Sequence, residues 1–370
     1  MRVVHITPTY FDVSSTIGGG ERYVTDLALW MSKKVFTTLV TFSLKRSSYF
    51  YNDLKVEVYP VRFFIRNHKV NPLQFRYLRN IFNADIVHVH FLNTLVSDLS
   101  CLLAAFLKKP VFVTDYGSGS YRALNQILPL FKCYHRAIAY SEFGIKQLPE
   151  ILRKKVSLIK GGIDTTKFRP SSSVPKQNKI LFVGRVLPHK GINYLIEAFR
   201  ILNNPDYRLV VVGMVHDNRF YNDLRKAAHS LKIEFVHDAD DARLIHEYRT
   251  AKVTVLPSVY TTVYGDYLPA PELMGLALLE SQACGTPVIA SDVGGLPEYV
   301  VSEQTGFVVK KNSAEGIACG LRKIIQMSET KYRQSQIRCR NWVEQFNWAE
   351  VVMEHIKLYS GENGRPADSL

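Results

Sequence analysis

Twelve short apolar runs, each leading into a stretch of helical period, set what this chain can fold into. In the first half they are Val3–Thr7, Phe36–Phe42, Val56–Val61, Ile86–His90, Val111–Thr114 and Ala137–Tyr140. In the second half they are Ile180–Val183, Leu209–Val212, Glu234–Val236, Val253–Leu256, Val288–Ala290 and Phe307–Val309. Near-continuous Val and Ile without strict alternation suits strands covered on both faces, as in parallel sheets. Strand–helix alternation completed once in each half predicts two doubly wound α/β domains, with ligands beyond the carboxyl ends of the strands.

A length of 370 residues also favours two domains over one. The Ser/Pro-rich stretch Phe168-Arg-Pro170-Ser-Ser-Ser-Val-Pro175-Lys-Gln-Asn178 reads as the linker between them. The expected division is 1–168 and 169–345. Residues 346–370 then form a closing helix that packs back toward the first domain and ends in a frayed tail. The helical pattern at this end runs from Tyr332 to Tyr359.

Hydrophobic residues make up 46% and charged ones 22%, a globular balance. The longest apolar segment, Leu99 to Leu107, stops at Lys108-Lys109-Pro110, well short of the roughly 18 residues of a spanning helix. The run after Met1-Arg2 is too short for a secretory core. Five scattered cysteines without a Cys-x-x-Cys pair suit the reduced thiols of a cytosol, and neither a disulfide frame nor a structural zinc is expected. The net charge of +14 is uneven: up to Asp164 there are 22 Lys and Arg against 11 Asp and Glu, and beyond it 25 against 22. A basic first half fits an anionic membrane face, an acidic acceptor or a solubilising surface. Nucleic acid is disfavoured, because there is no zinc-finger spacing and no RNP-like aromatic run. The expected location is cytoplasmic, peripheral at the inner face of a membrane.

Three segments carry chemistry. The first, Glu272-Leu-Met-Gly275-Leu276 through Glu280 to the Gly-Thr-Pro break at Pro287 and Gly294-Gly295-Leu-Pro297-Glu298, describes a helix with one carboxylate just before it and another on its body. Free helix N–H groups attract phosphate, and a carboxylate accepts hydrogen bonds from sugar hydroxyls. The second is Gly184-Arg185-Val-Leu-Pro188-His-Lys190-Gly191, which places two cations after a parallel strand, where they suit a diphosphate. The third, Gly18-Gly19-Gly20-Glu21, precedes a helix running roughly from Glu21 to Ser32. It lets backbone amides approach a ligand, though it is no Gly-x-Gly-x-x-Gly fingerprint.

With these blocks, the chain resembles a retaining GT-B glycosyltransferase of glycosyltransferase family 4. Supporting segments are Asp85-Ile-Val-His-Val-His90, Ser141-Glu142-Phe143-Gly144, Gly162-Ile163-Asp164 and Phe346-Asn-Trp348. The resemblance implies two facing Rossmann-like domains with a cleft between them. It also implies transfer of a hexosyl or related sugar from a UDP- or GDP-type donor to a glycan, polysaccharide or lipid-linked acceptor, in cell-surface glycan biosynthesis. Arg185 and Lys190 would hold the diphosphate and Glu272 the donor sugar, as the catalytic set. Glu280 would clamp the ribose, and the amides of Met274, Gly275 and Leu276 would meet the phosphates. Gly19 and Gly20 would lie across the cleft, near the phosphate or acceptor, as part of the donor-binding set. No metal, cofactor or protein nucleophile is expected, and Asp240-Asp241 reads as a solvated turn.

The chain departs from the family pattern at Thr114-Asp115-Tyr116-Gly117, where relatives carry a histidine near the sugar's primary hydroxyl. Tyr116, or Asp115 in a shifted register, is the expected sugar or acceptor contact. Leu273-Met274 replaces the usual Pro-Phe, and Val259–Pro271 is a tyrosine-rich loop suited to a lid or acceptor platform. Read as alternating along their strand, His88 and His90 face opposite sides, with His90 either a candidate for the cleft or a satisfied core histidine, and neither in metal-ligand company. The alternative from a different class is a non-catalytic GT-B subunit that binds or activates a partner glycosyltransferase.

Overall fold

The computed structural model describes residues 1–8, 19–65, 71–117, 124 and 128–361. It divides into two compact units, Met1–Gly162 with Trp348–Leu370 and Ile163–Asn347.

The first unit holds eight strands: β1 (Arg2–Ile6), β2 (Phe36–Ser43), β3 (Ser47–Tyr51), β4 (Leu54–Pro60), β5 (Ile86–His90), β6 (Val111–Thr114), β7 (Arg136–Ala139) and β8 (Val156–Leu158). Their order is β3-β4-β2-β1-β5-β6-β7-β8, parallel except for β3, which runs antiparallel to β4. The order reverses direction between β1 and β5, the switch point where an open α/β sheet leaves a crevice. One core layer joins Ile6, Val40, Val87, Val89 and Val113 to Cys101 and Ala104 of helix Leu95–Phe106.

The second unit holds β9 (Lys179–Val183), β10 (Arg208–Val212), β11 (Ile233–Val236), β12 (Val253–Leu256), β13 (Val288–Ser291) and β14 (Gly306–Val309). The order β11-β10-β9-β12-β13-β14, wholly parallel, puts the switch point between β9 and β12. Two core clusters lie on the sheet, one centred on Phe182, Leu195 and Leu321, the other on Leu181, Leu256, Leu279 and Ala290.

Every expected strand forms, and two more join them. β3 is an edge hairpin arm built on Asn52 in a left-handed conformation, and its largely exposed residues carry no apolar period. β8 is only three residues long.

The first boundary falls at Gly162 rather than 168, because Ile163 and Phe168 are buried in the second unit's core and the Ser/Pro stretch follows them. The helical pattern expected from 332 to 359 is two helices, Glu329–Glu344 and Trp348–Tyr359. The second belongs to the first unit, with the Trp348 ring 4.8 Å from that of Tyr23. Gly162 has φ +110, and a Cβ there would lie 2.5 Å from Tyr23 and 2.7 Å from Trp348. Asp240 and Asp241 are solvated, as expected, but they start a helix rather than form a turn: the Asp240 side chain accepts the Arg243 amide and caps helix Asp241–Thr250. The final tail from 362 lies outside the described residues.

Candidate active site

In the second unit the expected residues gather at the carboxyl ends of β9, β12 and β13. The chain leaves β9 through Gly184 and exposed Arg185, then makes a single turn, Pro188–Lys190, that ends on Gly191. Gly191 adopts φ +66, and a Cβ there would sit 2.0 Å from the Pro257 carbonyl oxygen. No other residue fits so close to the backbone. The Val259 amide donates to the His189 carbonyl (2.8 Å), which ties the Arg185–Lys190 loop to the segment after β12.

That tie aims Lys190 at Glu272. Lys190 Nζ donates to Glu272 Oε1 at 2.5 Å, and Ser258 Oγ donates to the same oxygen at 2.6 Å. Ser258 is itself held by Ser291 Oγ, which donates to its carbonyl (2.6 Å). Behind Glu272, Gly294 has φ +59 and its missing Cβ leaves room for the Glu272 carbonyl, which accepts the Gly295 amide at 3.0 Å. The Gly-Gly turn and the Lys190 loop thus hold a buried carboxylate from two sides. His189 beside the pair is pushed down to about 4, by burial first and by the Lys190 charge second.

Helix Leu276–Ala283 begins on Gly275 with no side-chain cap, so its first-turn amides point outward from the end nearest Glu272. Glu280, on the helix body, is buried and accepts the Tyr248 hydroxyl at 2.7 Å. Arg185 forms no hydrogen bond or ion pair among the described residues. The site therefore combines an exposed guanidinium, an ammonium–carboxylate pair, an open helix N-terminus and a second carboxylate. This donor set suits an anionic group joined to hydroxyls. Sequence reasoning missed Ser258 and Tyr248, the partners that orient the two glutamates, because nothing in their local pattern marks them.

The tyrosine-rich loop is an internally bonded hairpin. Thr261 bridges Tyr267, Leu268 N–H donates to the Tyr260 carbonyl (2.8 Å), and the two rings stack at 6.3 Å. The Tyr260 hydroxyl accepts the Gly294 amide at 2.9 Å, which links the hairpin to the turn behind Glu272.

In the first unit Gly19 and Gly20 form the opening turn of helix Gly19–Ser32 rather than a loop before it, while Gly18 lies outside the described residues. A Cβ on Gly20 would come within 3.3 Å of the Tyr116 ring. Tyr116 shares a 2.8 Å hydrogen bond with His90 Nδ1. Asp115 accepts backbone amides, Leu92 N at 3.1 Å among them, and burial pushes its carboxyl up to about 6.

The reading of His88 and His90 on opposite faces is wrong. Residues two apart share a strand face, and their rings lie 4.3 Å apart, with His5 of β1 directly across from His88. Nor do they lack company: the three histidines bring one nitrogen each within 4.8 Å of the others. Their nitrogens are also hydrogen-bonded: His5 Nδ1 to His90 Nε2 (3.0 Å), and His88 to Tyr359 (2.6 Å) and Thr114 (2.7 Å). Burial holds His88 and His90 well below the usual imidazole range and His5 at about 3. A groove of about 650 Å³ lined by Arg2, Phe36, Lys55, Glu57, Arg79 and Asn80 opens at the amino end of this sheet, away from all these residues.

Comparison with known proteins identifies the family and the fold. Residues 17–167 match the model described as Glycosyltransferase Family 4, and residues 164–339 match Glycosyl transferases group 1. An uncharacterized glycosyltransferase of Methanocaldococcus jannaschii is 32% identical over 197 residues, covering 52% of this chain and 47% of that protein. A D-inositol 3-phosphate glycosyltransferase of Corynebacterium glutamicum is 29% identical over 227 residues, covering 56% and 51%. The chain thus spans about half the length of these curated relatives. Among solved structures, Anabaena HepE in complex with UDP aligns at TM-score 0.75 and 15% identity, over 98% of this chain and all of that one. The two family models meet end to end across both sheets, so the chain belongs to the group 1, family 4 glycosyltransferases and has the GT-B fold.

Proposed function

We propose that the chain transfers a sugar from a nucleoside-diphosphate donor of UDP or GDP type to a glycan, polysaccharide or lipid-linked acceptor, with retention of anomeric configuration. The observation that carries this reading is the Lys190–Glu272–Ser258 cluster beside the uncapped start of helix Leu276–Ala283. Arg185 and Lys190 hold the diphosphate. The amides of Met274, Gly275 and Leu276 meet its oxygens, and the Glu280 carboxylate accepts the ribose hydroxyls. Glu272 orients the donor sugar, Gly19 and Gly20 of the first unit serve the phosphate or the acceptor, and Tyr116 serves the sugar or the acceptor. A relative in structure that was solved with UDP supports the nucleotide class.

In the reaction the bond from the sugar's anomeric carbon to the diphosphate oxygen breaks. The acceptor oxygen bonds to that carbon on the same face, and its proton passes to the departing phosphate. Arg185 and Lys190 stabilise the charge that develops on the leaving group, the part a divalent metal would otherwise take. Neither a cofactor nor a protein nucleophile enters this scheme.

The test is donor hydrolysis by purified protein against UDP-, GDP- and ADP-sugars, with the released sugar's anomeric configuration read by NMR at early times. Turnover of one donor class with retained configuration, lost in Glu272→Ala, is the expected result. Inverted product, or turnover indifferent to Glu272→Ala, overturns the reading.

A further inference from the structure

Large apolar side chains are exposed at one corner of the first unit, and the chain that supplies them carries no negative charge. β2 ends at Ser43 and β4 at Pro60, and the Val61 amide donates to the Ser43 carbonyl (2.7 Å), so the segments leaving both strands start side by side. The first is Leu44-Lys45-Arg46, with Leu44 80% exposed. The second passes Arg62, Phe63 and Ile65 and returns through Leu73 and Phe75. It is closed on itself by Leu73 N–H to the Phe63 carbonyl and Ile65 N–H to the Asn71 carbonyl, both 2.9 Å. Gln74 Nε2 donates to the Pro60 carbonyl (2.7 Å) and pins the return arm to the end of β4. Phe63 is 71% exposed and Phe75 56%.

Lys45, Arg46, Arg62 and Arg76 are exposed among these side chains. From Leu44 to Asn52 and again from Val58 to Ala84 the sequence has no Asp or Glu. The acids that flank these runs lie elsewhere: Asp53 sits in the turn at the other end of β4, Glu57 is buried against Lys55 (2.9 Å), and Asp85 precedes β5 at the amino end of the sheet, where it accepts the Arg2 amide (2.7 Å). Apolar side chains standing at a surface rimmed by cations of one sign mark an interaction site. Their chemistry decides the partner. Leu44, Ile65 and Leu73 are aliphatic and offer nucleobases no stacking face. Such side chains, with Phe63 and Phe75, suit burial at the headgroup–acyl boundary, while long cationic side chains remain with anionic headgroups.

We propose that this corner, with Leu44, Phe63 and Phe75 as its apolar contacts and Lys45, Arg46, Arg62 and Arg76 as its cationic ones, docks on the surface of an anionic lipid bilayer. It lies at the carboxyl end of the sheet, the end at which His90 and Tyr116 also stand, so a lipid-linked acceptor reaches the unit from the surface that holds it. This extends the acceptor half of the function proposed above, and it is measured without donor or acceptor.

The experiment is flotation of the full chain with vesicles of equal phosphatidylglycerol and phosphatidylcholine, against pure phosphatidylcholine, at low and high salt. The wild type floats with the anionic vesicles at low salt only. Phe63→Ser with Phe75→Ser lowers partitioning about tenfold or more. Arg62→Gln with Arg76→Gln lowers it ~30-fold, from about fivefold per cation. Phe106→Ser, at an 83% exposed phenylalanine on the opposite end of the sheet, leaves it unchanged and controls for general stickiness. All variants keep the wild-type thermal midpoint, because the altered side chains are at the surface. A wild type that ignores anionic vesicles overturns the proposal, as does equal flotation of the Phe63/Phe75 variant. So does tighter binding to single-stranded RNA that the Phe63/Phe75 change leaves intact. Failure here with donor turnover intact removes the membrane surface and leaves the transferase reading standing.

Discussion

Lys190 and Glu272 lie 82 positions apart in sequence and meet in a 2.5 Å hydrogen-bonded ion pair at the carboxyl ends of β9 and β12. A pair this little exposed is sensitive to the loss of one partner, since the remaining charge keeps its desolvation cost. Lys190→Met leaves Glu272 with the Ser258 hydroxyl on its Oε1, and is expected to lower stability by ~1–3 kcal/mol. Urea denaturation reads the loss. Donor turnover should fall further than stability alone explains, because the same ammonium serves the leaving group.

Tyr248 should act through Glu280. Tyr248→Phe removes the 2.7 Å hydrogen bond to Glu280 Oε2 without changing ring packing against Phe168. The expected cost is ~1–2 kcal/mol in stability. Nucleoside diphosphate affinity should fall several-fold while inorganic pyrophosphate affinity holds, since only the former has a ribose. Titration calorimetry with both ligands separates the cases, and equal loss for both would place Glu280 away from the ribose.

Glycine geometry gives a contrast that needs no ligand. Gly191→Ala forces a Cβ to within 2.0 Å of the Pro257 carbonyl at φ +66, whereas Gly265 has φ +88 with nothing within 4 Å. Gly265→Ala should cost only the backbone strain, ~1 kcal/mol. Gly191→Ala should cost clearly more and also displace Lys190. Thermal melts compare the two, and similar losses would mean that the loop is free to move away from Pro257.

The buried histidines make the first unit acid-labile. His5 and His355 are held near 3 and 4 by burial, and His88 and His90 well below their usual value, so the folded chain binds fewer protons than the unfolded one below pH 6.5. Stability is therefore full above about 6.5 and falls as pH drops toward the folded values. At pH 5 each histidine so displaced removes ~2 kcal/mol. Asp115, raised to about 6, works the other way between its unfolded value and 6, and offsets part of the loss. Denaturation midpoints at pH 7.5 and 5 test the sign. Equal stability at the two values would show that the cluster admits water.

Much of the fold was legible because parallel strands buried on both faces are runs of Val and Ile, and their spacing announces the helices between them. β3 was not, since an exposed edge arm has no apolar period to read. The site was legible where function needs particular residue types in a short span, as in Glu272 to Glu280. It was illegible where folding brings partners together. Ser258 and Tyr248 look ordinary in sequence, and the register that sets His5 against His88 comes from strand pairing rather than from any local motif. The histidine faces were misread, although two-residue spacing on one strand carried the answer.

The central claim is that Arg185, Lys190 and the start of helix Leu276–Ala283 bind the diphosphate of a nucleotide-sugar. Titration calorimetry of UDP and GDP into the wild type and Arg185→Ala tests it most directly, because Arg185 is exposed and its loss leaves the fold intact. The expected result is saturable binding of one nucleotide by the wild type, weakened about tenfold or more in Arg185→Ala at an unchanged melting temperature. Binding of equal strength in both proteins, or none of either nucleotide to the wild type, would contradict it.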